Sequence, residues 1–233
     1  MLSAHGVTHA GRRPTNEDAF LASDRLGLFV VADGMGGHNA GEVASGIAVR
    51  TIQHVVESAA TEEGDVLGEA VRVANREVLL AAGRDLECSG MGTTVVAVLV
   101  TGDRLHCAGV GDSRAYLLHE ATLLQLTRDD TWVAHVVASG GDPGRDHPMR
   151  HVLTKVVGLR SDIEVTVTSA PFAPGDVLLL CSDGLHGTVG DARIAATLGA
   201  GLSSSAAAVE LLTVALESGA TDNVTAIIVQ HLA

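Results

Sequence analysis

The chain has 233 residues, of which 46% are hydrophobic but only 2% aromatic, and its formal net charge at pH 7 is −13. We expect a single domain over residues 1–233, because this length suffices for one substantial core and no linker or internal repeat interrupts it. The acidic balance argues against a nucleic-acid partner, and the lack of a signal-peptide segment or an apolar run near the ~20 residues of a membrane helix argues against a membrane protein.

The first predicted elements are a buried strand and two amphipathic helices. The run GLFVVAD, residues 27–33, is apolar on both faces, as in a strand that is covered on each side. Two segments with apolar residues at helical spacing follow it. Three strand-like runs come next with no room for helices between them, and TGD between the first two is typical of a hairpin turn. These five segments cover residues 41–60, 65–86, 92–100, 104–111 and 113–120.

The second half of the chain predicts further strands and two more helices. The helices are expected over 131–139 and 203–219, and the strands over 162–170, 176–183 and 223–230. Consecutive strands interrupted by pairs of helices favour antiparallel sheets with helices outside them, rather than strict βαβ alternation. We therefore predict an α+β fold in which the strands that are apolar on both faces form the middle layers.

Acidic residues recur at the ends of these predicted strands. The strand in VVADG ends at Asp33 and Gly34, and LLLCSDG repeats the pattern at Asp183. A single Asp-Gly after a strand is most often only a turn. Here the pattern occurs twice, and four more acids lie at or beside strand ends, which are rigid supports from which side chains can converge. These further acids are Asp222 in TDN, Asp112 in VGDSR, and Glu17 and Asp18 in TNED.

Carboxylates that converge on one place predict a site for hard divalent cations such as Mg²⁺ or Mn²⁺. The chain has no HExxH motif and no Cys/His ligand pair, which argues against zinc. Several carboxylates would repel one another strongly, and two divalent ions would offset that repulsion. Asp33 could bridge the two ions. Gly34 could add its carbonyl oxygen, because glycine allows the backbone to approach a ligand closely.

The order of motifs resembles that of the PPM, or type 2C, metal-dependent serine/threonine protein phosphatases of bacteria. The resemblance covers essentially the whole chain. It rests on RRPTNED, VVADGMGGHNAGEVAS, GTTVVAVLV, VGDSRAYLL, HPMRHVLTKVVG, LLLCSDGL and TDNVTAIIV, in that order. The family fold that it implies is a central sandwich of two antiparallel β-sheets, flanked by pairs of helices on both faces.

The resemblance also implies roles for the acids. Asp33 bridges two metal ions, the Gly34 carbonyl binds one of them, and Asp183 and Asp222 hold the other. Glu17 and Asp18 act through metal-bound waters. A metal-activated water attacks phosphorus directly, so no cysteine nucleophile is needed.

Two basic residues are candidates for contact with the substrate. Arg13 lies five residues before Asp18, which is the family spacing for a phosphate-binding arginine, whereas the adjacent Arg12 is interpreted as a surface charge. His38 is a candidate general acid for the leaving serine or threonine oxygen. The alternative is that His38 is a loop histidine that only orders water or substrate.

Asp112 matches the position that joins Asp183 at a third metal ion in bacterial relatives. The alternative is that Asp112 is a turn residue that only caps a hairpin. The segment GDPGRD between Gly140 and His147 departs from the family pattern, because the flap there is shortened and richer in glycine. This departure bears on substrate selectivity rather than on the metal chemistry.

The function implied by the resemblance is hydrolysis of phosphoserine and phosphothreonine in phosphorylated proteins, in opposition to Ser/Thr kinases. Three alternatives stay open: a partner-switching phosphatase for an anti-sigma-factor antagonist, a hydrolase of small phosphate esters, and a catalytically dead binding module. The lack of a sensor domain weighs against the first, and the complete set of acids weighs against the last. We expect a monomer. A cytoplasmic location is expected because the three cysteines are odd in number and dispersed, as is typical of reduced thiols.

Overall fold

A computed structural model of the protein describes residues 1–36, 40–59, 64–144 and 147–232. Eleven strands are assigned within these residues: β1 Leu2–His9, β2 Asp18–Ser23, β3 Leu28–Met35, β4 Gly92–Thr93, β5 Val95–Thr101, β6 Arg104–Val110, β7 Arg114–His119, β8 Thr122–Gln125, β9 Val167–Pro171, β10 Val177–Cys181 and β11 Val224–His231. The α-helices of the same residues are α1 Ala40–Ser58, α2 Gly64–Arg84, α3 Trp132–Ala138, α4 Asp183–His186, α5 Asp191–Leu198 and α6 Ser204–Glu217.

The strands form two antiparallel sheets. One sheet has the order β1-β11-β10-β7-β8, and the other has the order β2-β3-β5-β6-β9, with β4 paired to β3. Apolar side chains fill the space between the two sheets, including Phe29, Val96, Leu178 and Ile227. Strands covered on both faces in this way need apolar residues at every position, which explains the uninterrupted runs in the sequence.

Helices cover both outer faces of this sandwich. The helices α1 and α2 pack on the sheet that contains β3, through residues such as Ala48, Ile52 and Val71. The helices α5 and α6 pack on the other sheet, through residues such as Ile194 and Leu211. The predicted α+β sandwich is therefore confirmed. No helix within the described residues combines the length and the apolarity that a membrane crossing needs.

Several peripheral elements differ from the sequence prediction. The strands β1, β2 and β8 and the short helices α4 and α5 were not predicted. The strand β9 begins at Val167 rather than at residue 162, and β10 ends at Cys181 rather than at residue 183. Every residue of β2 is partly exposed, and β8 is largely exposed. Such strands carry little of the apolar pattern from which buried strands are recognised.

The antiparallel order brings the strand ends that carry acids to one end of the sandwich. Asp18 at the start of β2 is directly opposite Asp33 near the end of β3. Cys181, which ends β10, pairs with Arg114 of β7 on one side and with Ala226 of β11 on the other. Because antiparallel neighbours alternate in direction, the acid that follows β10 and the acids that precede β7 and β11 lie at the same end of the sheet.

Candidate metal centre and substrate cleft

The backbone of Asp33 is held from two sides by a threonine pair. Its amide donates to Oγ1 of Thr94 at 3.0 Å. Its carbonyl oxygen accepts from the Thr94 amide and from Oγ1 of Thr93, both at 2.9 Å. Thr94 Oγ1 in turn lies 2.7 Å from Oγ of Ser113, in the turn that carries Asp112. These bonds fix the position from which the Asp33 carboxylate projects.

Two buried carboxylate oxygens lack a partner among the described residues. Oδ2 of Asp18 accepts from Ser182 Oγ at 2.9 Å and from Thr225 Oγ1 at 2.6 Å. Oδ1 of Asp18 and Oδ1 of Asp183 are buried, and no hydrogen-bond donor reaches either of them within the described residues. A buried acceptor without a partner is costly, so it calls for a cation or an ordered water. This observation fits divalent metal ions beside Asp18 and Asp183.

Glycines allow the end of β3 to approach the first turn of α1. A β-carbon on Gly34 would overlap the backbone of Gly41 and would lie 2.6 Å from the carbonyl oxygen of Glu17. A β-carbon on Gly41 would overlap the Glu17 carboxylate. The Gly34 amide donates to the Glu17 carbonyl oxygen at 3.2 Å. Gly34 and Gly41 therefore allow close packing of the backbone around Glu17.

Asp222 and Asn223 connect the start of β11 to the N-terminal loop. Asp222 Oδ2 accepts from the Arg13 guanidinium at 2.7 Å. The Asn223 side chain is buried, with its residue only 4% exposed, and makes three hydrogen bonds to the loop. It donates to the carbonyl oxygens of Ala10 at 3.0 Å and Thr15 at 2.9 Å, and it accepts from the Glu17 amide at 2.8 Å. Asn223 thus anchors the loop that carries Arg13 and Glu17.

Asp112 is held beside Asp183 by a histidine of α4. Nε2 of His186 lies 2.9 Å from the carbonyl oxygen of Asp112, so that nitrogen carries the proton and donates. Burial lowers the pKa of His186, which favours its neutral form. Because Asp183 and His186 belong to the same short helix, this bond ties the Asp112 turn to the segment that presents Asp183.

Burial and neighbouring acids raise the pKa of Asp33, Asp18 and Asp112 in the folded chain. Burial, followed by the charges of Asp18, Asp183, Asp222 and Asp112, raises the pKa of Asp33 well above its usual value. Burial is also the first cause that raises the pKa of Asp18 to about 6 and that of Asp112 to about 7. Ionised carboxylates in such a place need compensating positive charge, which divalent cations supply.

The carboxylates are not gathered tightly enough to hold an ion as they stand. Among the residues with described side chains, no group of three or more His, Cys, Asp or Glu is arranged so that it could coordinate a metal ion. Mutual repulsion of the acids opposes closer approach without a cation, and Asp222 is engaged by Arg13. The donor set and the two partnerless oxygens nevertheless fit hard divalent ions.

A cleft of about 820 Å³ opens above these acids. The predicted site residues that line it are Arg13, Glu17, Asp33, Gly34, Asp112, Asp183 and Asp222. Asp18 lies behind them, in contact with Ser182 and Thr225. His38 lies outside the described residues, so its role as general acid stays a prediction.

Sequence reasoning missed the polar residues that support the acids. Ser182, Thr225, Asn223, Thr94 and His186 all bond directly to a predicted site residue or to its backbone. A signal was present for Ser182 and Asn223, because each is a polar residue adjacent to a strand-end aspartate. No local pattern distinguished Thr94 or His186 from ordinary strand and helix residues.

Comparisons with known proteins identify the family of the chain. Residues 5–232 match the family model described as protein phosphatase 2C. The chain is 35% identical to the serine/threonine phosphatase stp of Listeria innocua over an alignment of 242 residues, which covers 99% of this chain and 96% of that protein.

Solved structures of related phosphatases superpose over the whole chain. The serine/threonine phosphatase PstP/Ppp of Mycobacterium tuberculosis gives a TM-score of 0.92 at 34% identity and covers 100% of this chain and 99% of that one. The catalytic domain of PstP in complex with two manganese ions gives 0.89 at 35% identity, with the same coverage. The chain therefore belongs to the protein phosphatase 2C family, the metal-dependent serine/threonine protein phosphatases that its sequence motifs resemble.

Proposed function

We propose that the protein acts as one catalytic domain over residues 1–233 and removes phosphate from phosphoserine and phosphothreonine in phosphorylated proteins at this cleft. The observation that carries the proposal is the pair of buried oxygens of Asp18 and Asp183 that have no partner among the described residues, together with a cleft lined by Asp183 and Arg13. Its substrates are phosphoproteins made by Ser/Thr kinases. We further propose that it is a monomer, located in the cytoplasm, with neither a nucleic-acid nor a membrane partner.

Asp33, Asp183 and Asp222, with the Gly34 carbonyl, would hold two Mn²⁺ or Mg²⁺ ions, and Glu17 and Asp18 would act through waters. When bound, such ions supply an activated water and neutralise charge on the phosphate. The chain's own contribution is to hold the phosphate with Arg13 and to keep the acids in place through Asn223 and the threonine pair. His38 is the proposed proton donor to the leaving oxygen.

The cysteines are poorly suited to nucleophilic attack in this reaction. Cys107 and Cys181 are buried, and Cys88 is partly exposed. Burial raises the pKa of the Cys107 thiol to about 12, so its nucleophilic thiolate is scarce at neutral pH. Direct attack of water on phosphorus agrees with this inventory of side chains.

The proposal is tested by assaying a panel of phosphoserine and phosphothreonine peptides with Mn²⁺, with Mg²⁺ and after exhaustive chelation. We expect hydrolysis with metal, none after chelation, and recovery when metal is restored. Free phosphoserine is the matched small ester. Full activity on peptides after chelation would refute the metal mechanism, and hydrolysis of free phosphoserine alone would point to a small-ester hydrolase.

Replacement of Arg13 by Ala is expected to weaken binding of the phosphopeptide without weakening binding of Mn²⁺. A lost charge-assisted contact to phosphate corresponds to about 1.5–3 kcal/mol, or roughly 10- to 150-fold in kcat/KM. The variant also releases Asp222 from its ion pair, so affinity for metal should not fall. The measurements are steady-state kinetics and Mn²⁺ titration. Arg12→Ala is the matched control, and a larger kinetic loss in that control would move the role to Arg12.

Replacement of Asp112 by Ala is expected to lower turnover of phosphopeptides while the two central ions stay bound. We propose that Asp112 and Asp183 hold a third, weaker ion, since few protein carboxylates reach it and waters complete its shell. The bound Mn²⁺ is counted by anomalous diffraction alongside turnover. Three ions with normal turnover in the variant would contradict this role. Lower thermal stability with normal turnover per folded molecule would instead indicate a capping residue.

A further inference from the structure

The lining of the substrate cleft contains two chemically different groups of residues. One group is Arg13 and the predicted metal-binding acids. The other group is apolar, and most of its members follow His151 of the same lining in the chain. We define the apolar wall as the five cleft-lining residues Met35, Val152, Leu153, Val156 and Leu159. Among the described lining residues of the cleft, Arg13 is the only Lys or Arg, and it is not on this wall.

The apolar wall begins immediately beside the proposed metal centre. Met35 is two residues beyond Asp33 on β3, and its partner in the antiparallel ladder is Gly92 of β4. Gly92 has no side chain, and other residues occupy the space above it. A β-carbon there would lie 2.6 Å from Cγ1 of Val156 and 3.4 Å from Cγ of Leu159. Met35, Val156 and Leu159 therefore lie over adjacent positions of the strand pair that presents Asp33.

Backbone hydrogen bonds hold the apolar wall in place. Thr93 and Val157 exchange two of them, at 3.0 and 2.9 Å, which fixes the segment around Val156 to β4. The Trp132 amide donates to the Val152 carbonyl oxygen at 2.8 Å, which fixes the other end of the segment to the start of α3. A surface fixed in this way can bind a ligand without a large loss of conformational entropy.

Three of the five residues of the wall are exposed to solvent although they are apolar. Met35 is 41% exposed, Val152 is 43% exposed and Leu159 is 45% exposed. Clustered exposed apolar side chains next to a reaction site are typical of a surface that binds part of the substrate. The occupant follows from the position of the wall, because Met35 is two residues from Asp33 on β3 and both line the cleft, so a residue next to the phosphorylated one can reach the wall.

We propose that the apolar wall binds an apolar side chain next to the phosphorylated residue, so that the enzyme selects phosphoprotein segments with an apolar neighbour over segments with an acidic one. This inference rests on the proposed phosphatase function of the same cleft. The wall offers an apolar neighbour a surface to bury. It offers an acidic neighbour no Lys or Arg, because Arg13, the only one among the described lining residues, is not on the wall, and contact with apolar side chains would remove water from the charge of that neighbour.

The test compares three phosphothreonine peptides that differ only in the two residues flanking the phosphothreonine, which are Leu, Ser or Glu. We expect kcat/KM with Mn²⁺ to be about 10-fold higher for the Leu peptide than for the Ser peptide, and lowest for the Glu peptide. In the double variant with Val152→Ser and Leu159→Ser, the Leu-to-Ser ratio should fall below about 3. Both side chains are substantially exposed, so the fold should persist, and thermal unfolding checks this.

The matched control is Val209→Ser, because Val209 is 50% exposed on α6, away from the cleft lining. Its Leu-to-Ser ratio should equal that of the unaltered protein. A Leu-to-Ser ratio near one in the unaltered protein, a preference for the Glu peptide, or a ratio retained in the double variant would each overturn the proposal.

Hydrolysis of p-nitrophenyl phosphate distinguishes failure of the apolar-wall proposal from failure of the phosphatase proposal. Hydrolysis of all substrates without peptide preference overturns the apolar-wall proposal alone, and no metal-dependent hydrolysis of any substrate overturns the phosphatase proposal with it.

Discussion

Replacement of Asp33 by Asn is expected to make the metal-free protein more stable and the enzyme inactive. Burial and four neighbouring acids raise the pKa of Asp33 in the folded state above its value in the unfolded chain. The folded protein therefore binds this proton more tightly than the unfolded chain does. Above the unfolded pKa the unfolded chain releases the proton more easily, so the free energy of unfolding falls as the pH rises towards the folded pKa. Asparagine has the same shape and no charge, so it removes this loss of stability at neutral pH.

The expected gain in the free energy of unfolding is at least about 1 kcal/mol, or roughly 2–4 °C in Tm for a chain of this length. The increase in Tm that Mn²⁺ causes in the unaltered protein should be largely lost, because ligands that bind only the folded state stabilise it. Activity on phosphopeptides should fall by more than ~100-fold, since loss of even an outer-shell partner of a metal can cost 10- to 100-fold.

The measurements for Asp33→Asn are thermal unfolding with Mn²⁺ and with chelator, and turnover of a phosphothreonine peptide. Asp103→Asn is the matched control, because Asp103 is an exposed aspartate in the turn before β6. It should change neither quantity. Near-normal turnover together with an undiminished effect of Mn²⁺ on Tm would show that Asp33 is not a metal ligand.

Replacement of Asn223 by Ala is expected to impair both stability and catalysis. The change removes three hydrogen bonds and leaves the carbonyl oxygens of Ala10 and Thr15 and the amide of Glu17 without this partner. Three such losses at a buried site correspond to about 2–4 kcal/mol in the free energy of unfolding. The loop with Arg13 and Glu17 then loses its anchor, so kcat/KM should fall by at least ~10-fold even where the protein is fully folded.

The measurements for Asn223→Ala are urea unfolding and phosphopeptide kinetics well below the Tm of the variant. Gln230→Ala is the control, since Gln230 lies towards the other end of β11 and donates one bond, 2.7 Å long, to the Leu202 carbonyl oxygen. That variant should lose some stability and keep its kinetics. If Asn223→Ala lost stability but kept its full kcat/KM, the anchoring role in catalysis would be refuted.

The sequence by itself determined the central architecture and the chemical class of the site. Strands such as β3 and β10 are covered on both faces, so their apolar runs have no polar interruption until Asp33 and Ser182. An acid directly after such a run must lie where the strand ends, at one end of the sheet, because the strand determines its position. The repeated pattern at Asp33 and Asp183 therefore specifies where two acids of the site lie through local sequence alone.

The edge strands and short helices were less visible in the sequence, for a physical reason. The partly exposed β2 and the largely exposed β8 can carry polar or small residues without loss of packing. The helix α5 has only eight residues, between Gly190 and Gly199. Their formation depends on the neighbours that they pack against more than on their own residue pattern.

Only the tertiary structure decided which polar residues support the acids and what faces them across the cleft. Arg13 and Asp222 are 209 positions apart in the chain yet 2.7 Å apart in space. Asp18 takes its hydroxyl partners from β11 and from the residue after β10, at a distance of more than 160 positions. Hydrogen bonds and side-chain packing act only over a few ångströms, so contacts between distant segments exist only after both sheets have assembled. For the same reason no continuous stretch of the sequence shows that Met35 of β3 joins residues 152–159 in the apolar wall.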